Sequence, residues 1–347
     1  MSREVHVQFW ERVGVKFPCA THLPLYRQEM ILASRHGLVI TRQTMVEWLS
    51  LAAYWLKPLY DMLSWQVFSS GYVQIDETPV RYLAPGNGKT KLGYFWVARE
   101  PKSDCVFHWE KSRSTASLEK LVPADFSGTI QCDGYEAYRR FAKTRAPGTI
   151  ELVACMAHIR RDFVNAIPAF PRTAAFILCH IRNLYKIEEE LREKKAGPEL
   201  RKAVRNSSSR PIINRLEKAF ELLSRSSQIL PQSLMGKALA YARNQWPAMR
   251  NYLEDGRLEM DINLVENSIR PTALGKKNWL FIGHAEAGQT SAIIFTLIVA
   301  CRKRGIDPFR YLRDIFTRLP TMTNWQIKEI LPDAWLAARN RDQRVAA

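Results

Sequence analysis

The sequence predicts an α/β fold: a mixed five-stranded sheet with flanking helices, interrupted by a long all-helical stretch before the chain returns to the core. Three observations predict it. Strand signals dominate residues 72–156. From residue 157 to about 254, apolar residues recur at helical spacing. Two strand-like runs each carry an acid, Asp76 and Asp133, and a third acid, Glu266, stands in an apolar-periodic segment that reads as helix. A carboxylate within a sheet costs several kcal/mol unless it is paired or binds a metal. The three acids, 57 and then 133 residues apart, form a candidate metal-binding trio.

In chain order, residues 1–22 match no element. Residues 23–66 read as helical: apolar positions repeat over 24–34, Gly37 supplies a turn, Thr41 can cap, and 43–53 reads as a second helix. Two helices about a short glycine turn fit a helix-turn-helix, with Arg42 and Gln43 as base readers, or equally a helical hairpin packed on the core. Residues 67–167 hold strands at 72–80, 93–100, 105–110, 129–133 and 151–156, a short helix at 114–121 and a helix at 157–167. Pro85-Gly86-Asn87-Gly88 reads as a hairpin turn between the first two strands. Residues 168–256 read as amphipathic helices at 173–195, 198–224 with a break near 207–211, and 234–254. Residues 257–318 return Glu266 to the core. There Pro271 restricts Arg270 and is expected to end the turn, and 285–304 reads as a buried helix stopped by Gly305 and Pro308, with 308–318 behind it. Residues 319–347 form a C-terminal helical segment, 324–339, and a loose tail.

Lys and Arg number 51 against 34 Asp and Glu, a formal charge of +17, which favours a polyanionic partner, nucleic acid first. The six cysteines are scattered without CxxC spacing, so neither a zinc ribbon nor a disulfide framework is suggested, and reduced cytosol fits. No charged leader with an apolar core opens the chain. The longest apolar run, residues 292–301, is about half of a membrane span, so a soluble protein without a membrane partner is expected.

Asp76 and Glu77 are strand neighbours, so their side chains point to opposite faces and one alone can join a common site. Gly134 lets the chain leave the strand sharply at Asp133, although Asp-Gly is also an ordinary turn. Glu266 and Arg270, four residues apart, share a helix face and could simply pair. His158, Arg160 and Arg161 follow the fifth strand. Arginine forks suit phosphate oxygens, and the bland alternative is a solvated helix start. Lys276, Lys277 and Trp279 combine cations with a stacking surface, as a DNA groove wants, while Trp279, Leu280 and Phe281 fit a core equally well.

These residues also carry a resemblance. Residues 22–29 (HLPLYRQE), Ile75-Asp76-Glu77-Thr78-Pro79, Lys91-Leu92-Gly93-Tyr94-Phe95-Trp96-Val97, Cys132-Asp133-Gly134-Tyr135, Cys155-Met156-Ala157-His158-Ile159-Arg160-Arg161, the Glu266 segment and Gly275-Lys276-Lys277-Asn278-Trp279-Leu280-Phe281 together resemble the insertion sequence 66 family of transposases, from about Leu23 to about Trp335. That family belongs to the DDE group, with a ribonuclease H-like core. The resemblance implies Asp76, Asp133 and Glu266 as catalytic residues and ligands of Mg2+ or Mn2+, as two ions, with the helical stretch inserted between the second and third acids. It implies hydrolysis that frees a 3′-OH at the element's end, followed by attack of that 3′-OH on target DNA. Double-stranded DNA, both element ends and target, is then the partner, met as a homo-oligomer with accessory proteins from the same element, in the cytoplasm at the nucleoid. His158, Arg160, Arg161, Arg270, Lys276, Lys277, Arg42 and Gln43 would contact it. Family members carry a helical DNA-binding segment and a cysteine-rich zinc segment ahead of the core. Neither is read here, so an N-terminally truncated copy is expected. The family has an acid and two amides where this chain has Asp261-Ile262-Asn263, which makes Asp261 a supporting residue or a helix cap. Alternatives are a decayed transposase that binds DNA without cutting it, and a ribonuclease H-like metal nuclease.

Overall fold

The computed structural model describes residues 24–345, apart from 85, 87 and 88. The expectations for residues 1–23 and for most of the Pro85–Gly88 turn lie outside these. Six strands occur among the described residues: β1 Tyr72–Leu83, β2 Thr90–Arg99, β3 Cys105–Glu110, β4 Gly128–Cys132, β5 Ile150–Ala154 and β6 Phe281–Ile282. The hydrogen-bonded order is β3-β2-β1-β4-β5, with β6 also on β1. β2 and β3 are antiparallel, whereas β1 runs parallel to β4 and to β6, and β4 parallel to β5, so the sheet is mixed as expected. The two-residue β6 is an addition to the expected five strands. Helices α1 Leu25–His36 and α2 Arg42–Ser69 precede the sheet, α3 Thr115–Leu121 and α4 Glu136–Thr144 flank β4, and α5 Met156–Ala166 follows β5. Helices α6 Pro171–Glu193, α7 Pro198–Val204, α8 Arg210–Ser224 and α9 Leu234–Arg250 then lead to α10 Asn263–Trp279, α11 Ala287–Lys303, α12 Pro308–Arg318 and α13 Pro332–Val345.

The chain forms two compact units. The first takes in the described residues up to Ser70, then Glu77–Ser117 and the chain from Val265 on. Its core sets Leu56, Leu59, Leu63 and Val67 of α2 with Phe95 and Val97 of β2, Phe107 of β3 and Phe295 and Leu297 of α11, all buried. Edge strand β3 would leave backbone groups open, and side chains close them. Thr296 accepts the Phe107 N–H (3.0 Å), Tyr60 donates to the Phe107 carbonyl (3.0 Å), and Gln289 accepts the Trp109 N–H (3.0 Å). Helix α2 does not stop near residue 53 but continues through Pro58 to Ser69. An internal proline costs about 3 kcal/mol, yet the four buried Leu and Val side chains named above contribute roughly 1.5–3 kcal/mol each, so burial wins. Helix α10 likewise continues through Pro271, against the expected stop, with Val265 and Ile269 buried before it and Thr272 and Gly275 after it.

The second unit comprises Gly71–Asp76 and Leu118–Leu264. Tyr72, Val153, Ile159, Phe163, Ile177, Ile181, Leu216, Phe220 and Trp246 are among the residues of its apolar core. Phe163 stacks on Phe220 (5.5 Å), and Trp246 meets Phe220 edge-on (4.8 Å). The break expected near 207–211 is a π-helical turn, Arg205–Ser209, at which the helix continues rather than ends. The turn contributes Arg205, fully buried, whose guanidinium bonds both Glu188 oxygens (2.7 and 2.8 Å) and the carbonyls of Tyr252 (2.9 Å), Asp255 (3.1 Å) and Leu258 (2.8 Å). All five of its N–H groups are thus used.

Candidate active site

In the second unit, the parallel pairing of β1 with β4 sets Tyr72 beside Thr129, Val73 beside Ile130 and Gln74 beside Gln131. Carried two residues further, the same register would bring Asp76 opposite Asp133, the residue that directly follows β4. Side chains alternate along a strand, so Asp76 shares the face of Gln74, whose side chain bonds that of Gln131 at 2.9 Å. Neighbouring strands lie about 4.8 Å apart, close enough for two carboxylates to share a cation and to repel each other without one. Both aspartates are partly exposed, whereas Ile75 and Cys132 beside them are buried. Asp133 accepts the Tyr135 N–H (2.9 Å), which turns the chain out of the strand. Gly134 permits that exit: its N–H donates to the Tyr241 hydroxyl (3.2 Å), and a Cβ there would stand 2.6 Å from the Tyr241 ring and 2.7 Å from Gln245 Nε2. In the first unit, Glu77 is buried and pairs with Arg113.

Glu266 occupies the first turn of α10, where the helix dipole favours a negative charge. The residues just ahead of that helix are held by the glutamine pair. Gln74 Nε2 donates to the Asp261 carbonyl (2.8 Å), and Gln131 Nε2 donates to the Glu259 carbonyl (2.7 Å). The Tyr72 hydroxyl accepts the Glu259 N–H (2.9 Å) and donates to Gln131 Oε1 (2.6 Å). Gln74, Gln131 and Tyr72 were not read as site residues in the sequence. A signal existed: each glutamine stands two positions before an aspartate, in a run that is otherwise apolar. The pairing of β1 with β4 thus reaches to two residues before Asp76 and Asp133, and Glu266 stands on the helix that follows the clamped segment. Among the described residues no three His, Cys, Asp or Glu side chains are gathered as a metal-ion cluster.

The cations divide. His158, Arg160 and Arg161 lie in the first turns of α5, directly after the carboxyl end of β5, with His158 half-buried and both arginines exposed. Arg270 and Lys277 are exposed on α10. Lys276 is not a free cation: its ammonium donates to Thr78 Oγ1 (2.8 Å) and to the Pro79 carbonyl (2.9 Å), and burial lowers its pKa. These two bonds tie α10 to β1. Arg42 and Gln43 open α2, exposed, behind the Thr41 cap that accepts the Thr44 N–H (3.2 Å). The helix they open is 28 residues long, and its second half is core. No helix among the described residues is long and apolar enough to cross a membrane.

Residues 15–290 match the family described as Transposase IS66 family, and residues 296–332 match the IS66 C-terminal element. The chain is 34% identical over 332 residues to uncharacterized protein y4jD of Sinorhizobium fredii, covering 92% of this chain and 64% of that one. It is 34% identical over 325 residues to uncharacterized protein y4qI of the same organism, covering 90% and 59%. The chain thus spans about three fifths of the length of these curated relatives.

Proposed function

Because the chain belongs to the IS66 family of transposases, we propose that it cuts DNA at the ends of an insertion sequence and joins the freed 3′-OH to target DNA, with Asp76, Asp133 and Glu266 as the reacting acids. The observation that supports this reading is the parallel pairing of Gln74 with Gln131, which stand two residues before Asp76 and Asp133. The parallel order β1-β4-β5 with the antiparallel β2 and β3 supports a ribonuclease H-like core, and α6 to α9 are then its insertion between the second and third acids.

Three carboxylates are a hard oxygen donor set that fits Mg2+ or Mn2+. Bound there, such ions would supply Lewis-acid stabilisation of the reacting phosphate and acidify the attacking water. Asp76, Asp133 and Glu266 would each supply a carboxylate to such ions. Arg160, Arg161, Arg270 and Lys277 hold the DNA backbone by its phosphate oxygens, with His158 among them at the start of α5. The reaction needs no covalent protein intermediate.

Nicking and strand-transfer assays with Mn2+ test the assignment. Asp76→Asn, Asp133→Asn and Glu266→Gln are each expected to abolish both reactions while leaving DNA binding and the thermal melt unchanged. Full activity in any one variant removes that residue from the site.

A further inference from the structure

We propose that Tyr185, on helix α6, is a positioning residue for this reaction: through Asp261 it fixes the start of the helix that carries Glu266. The inference rests on Glu266 as a reacting acid.

The segment that leads into α10 is held at almost every polar group. The Leu258 carbonyl accepts from Arg205 (2.8 Å), the Glu259 N–H and carbonyl are taken by Tyr72 and Gln131, the Met260 carbonyl accepts the Met156 N–H (3.0 Å), and the Asp261 carbonyl accepts from Gln74. The Ile262 N–H points at Cys155 Sγ (3.4 Å). Backbone bonds of this kind fix where the segment lies, yet they leave open the direction in which the chain turns into the helix.

That direction is set by the Asp261 carboxylate. Its Oδ1 accepts the N–H of Asn263, the first residue of α10 (3.0 Å), and its Oδ2 accepts the Asn263 side-chain amide (2.8 Å). Both partners belong to the segment itself. The bond that ties this carboxylate to the rest of the second unit is the Tyr185 hydroxyl, which donates to Oδ2 at 3.0 Å. Tyr185 is half-buried on α6, between the core residues Leu184 and Ile181 on one side and Glu188 on the other. Burial, and then the Asp261 charge, push its pKa up, so the hydroxyl stays a donor. A carboxylate held in this way caps the first turn in one orientation, and Glu266 lies three residues beyond Asn263. An error of about 1 Å in a reacting group can cost a hundredfold in rate.

Tyr185→Phe keeps the ring and removes the hydroxyl. Amide hydrogen exchange is expected to quicken about tenfold or more at residues 263–266 and to stay unchanged within α6. With DNA saturating, cleavage should slow about tenfold, with the half-saturating DNA concentration unchanged. Asp261→Asn should behave alike, and the double variant no worse than either single one, because both remove the same link. Unchanged exchange at 263–266 overturns the clamp. Faster exchange with an unchanged cleavage rate overturns the positioning role. If Glu266→Gln cuts normally, it is the assignment of Glu266 that fails, and the exchange result still decides whether Tyr185 fixes the helix start.

Discussion

Replacing Glu188 by Gln removes the charge opposite the most deeply buried guanidinium of the helical block. Glu188 accepts three charged donors, Arg205 Nε (2.7 Å), Arg205 Nη2 (2.8 Å) and Arg201 Nη2 (3.0 Å), and all three side chains are nearly excluded from water. A glutamine of the same shape offers one acceptor and turns an NH2 group toward donors. Breaking a buried pair from one side costs about 3–5 kcal/mol, because the remaining charge stays desolvated. At about 1.4 kcal/mol per tenfold, opening of the helices α6 to α8 becomes on the order of a hundred to a few thousand times more frequent. Native-state hydrogen exchange of amides in residues 181–191 reads this directly. Burial alone raises the Glu188 carboxyl, but Arg205 and Arg201 outweigh it and hold it below the usual carboxylate range. A lowered pKa contributes stability that is present above the unfolded-state value, about 4.3, and is lost as pH falls through the folded value. The advantage of wild type over the variant should therefore shrink below about pH 4. Exchange within about threefold of wild type at neutral pH, equivalent to roughly 0.7 kcal/mol, would refute the assignment of a strong buried pair here.

Two further outcomes are expected. Replacing Arg160 and Arg161 by Ala should flatten the slope of log binding constant against log salt by up to about two units, at roughly 0.9 per phosphate contact, while Lys276→Met leaves that slope unchanged. Fluorescence anisotropy across a salt series measures both, and an unchanged slope in the arginine variant assigns those side chains to structure. Gly134→Ala drives a methyl into the Tyr241 ring and Gln245, so a destabilisation of about 1–3 kcal/mol together with loss of cleavage is expected; a variant that melts and cuts like wild type shows that the strand end yields without moving Asp133.

The strands were legible because their apolar runs are dense and bounded by Gly and Pro, and the acids stood out because carboxylates are costly there. Asp76 and Asp133 could be nominated from the sequence, but the pairing of Gln74 with Gln131 just before them depends on register, which no local pattern in β1 or β4 states. Pro271 misled because the rule that proline ends a helix weighs one lost hydrogen bond, whereas α10 has buried residues on each side of it, Val265 and Ile269 before and Thr272 and Gly275 after. The tie from Lys276 to β1 was hidden because sequence displays a charge without its acceptors, Thr78 and Pro79, which lie nearly two hundred residues away. Arg205 was hidden in a stretch of serines that reads as a break, and its role emerges through carbonyls contributed from residues 252–258. Tyr185 was one aromatic among many on an amphipathic helix, with nothing nearby to mark its distant partner.

The pairing of β1 with β4 has a consequence for how this protein can fail. Asp133 follows Gln131 of β4 by two residues, as Asp76 follows Gln74 on β1, so the clamp on the segment before α10 and the proposed positions of the two aspartates depend on a single alignment. A slip of one residue in β4 would turn Gln131 and Asp133 to the opposite face together. A one-residue deletion inside residues 128–132 would release the clamp and displace Asp133 in the same event. The two properties are inherited as one, and a copy that loses its register loses both without passing through a half-working form.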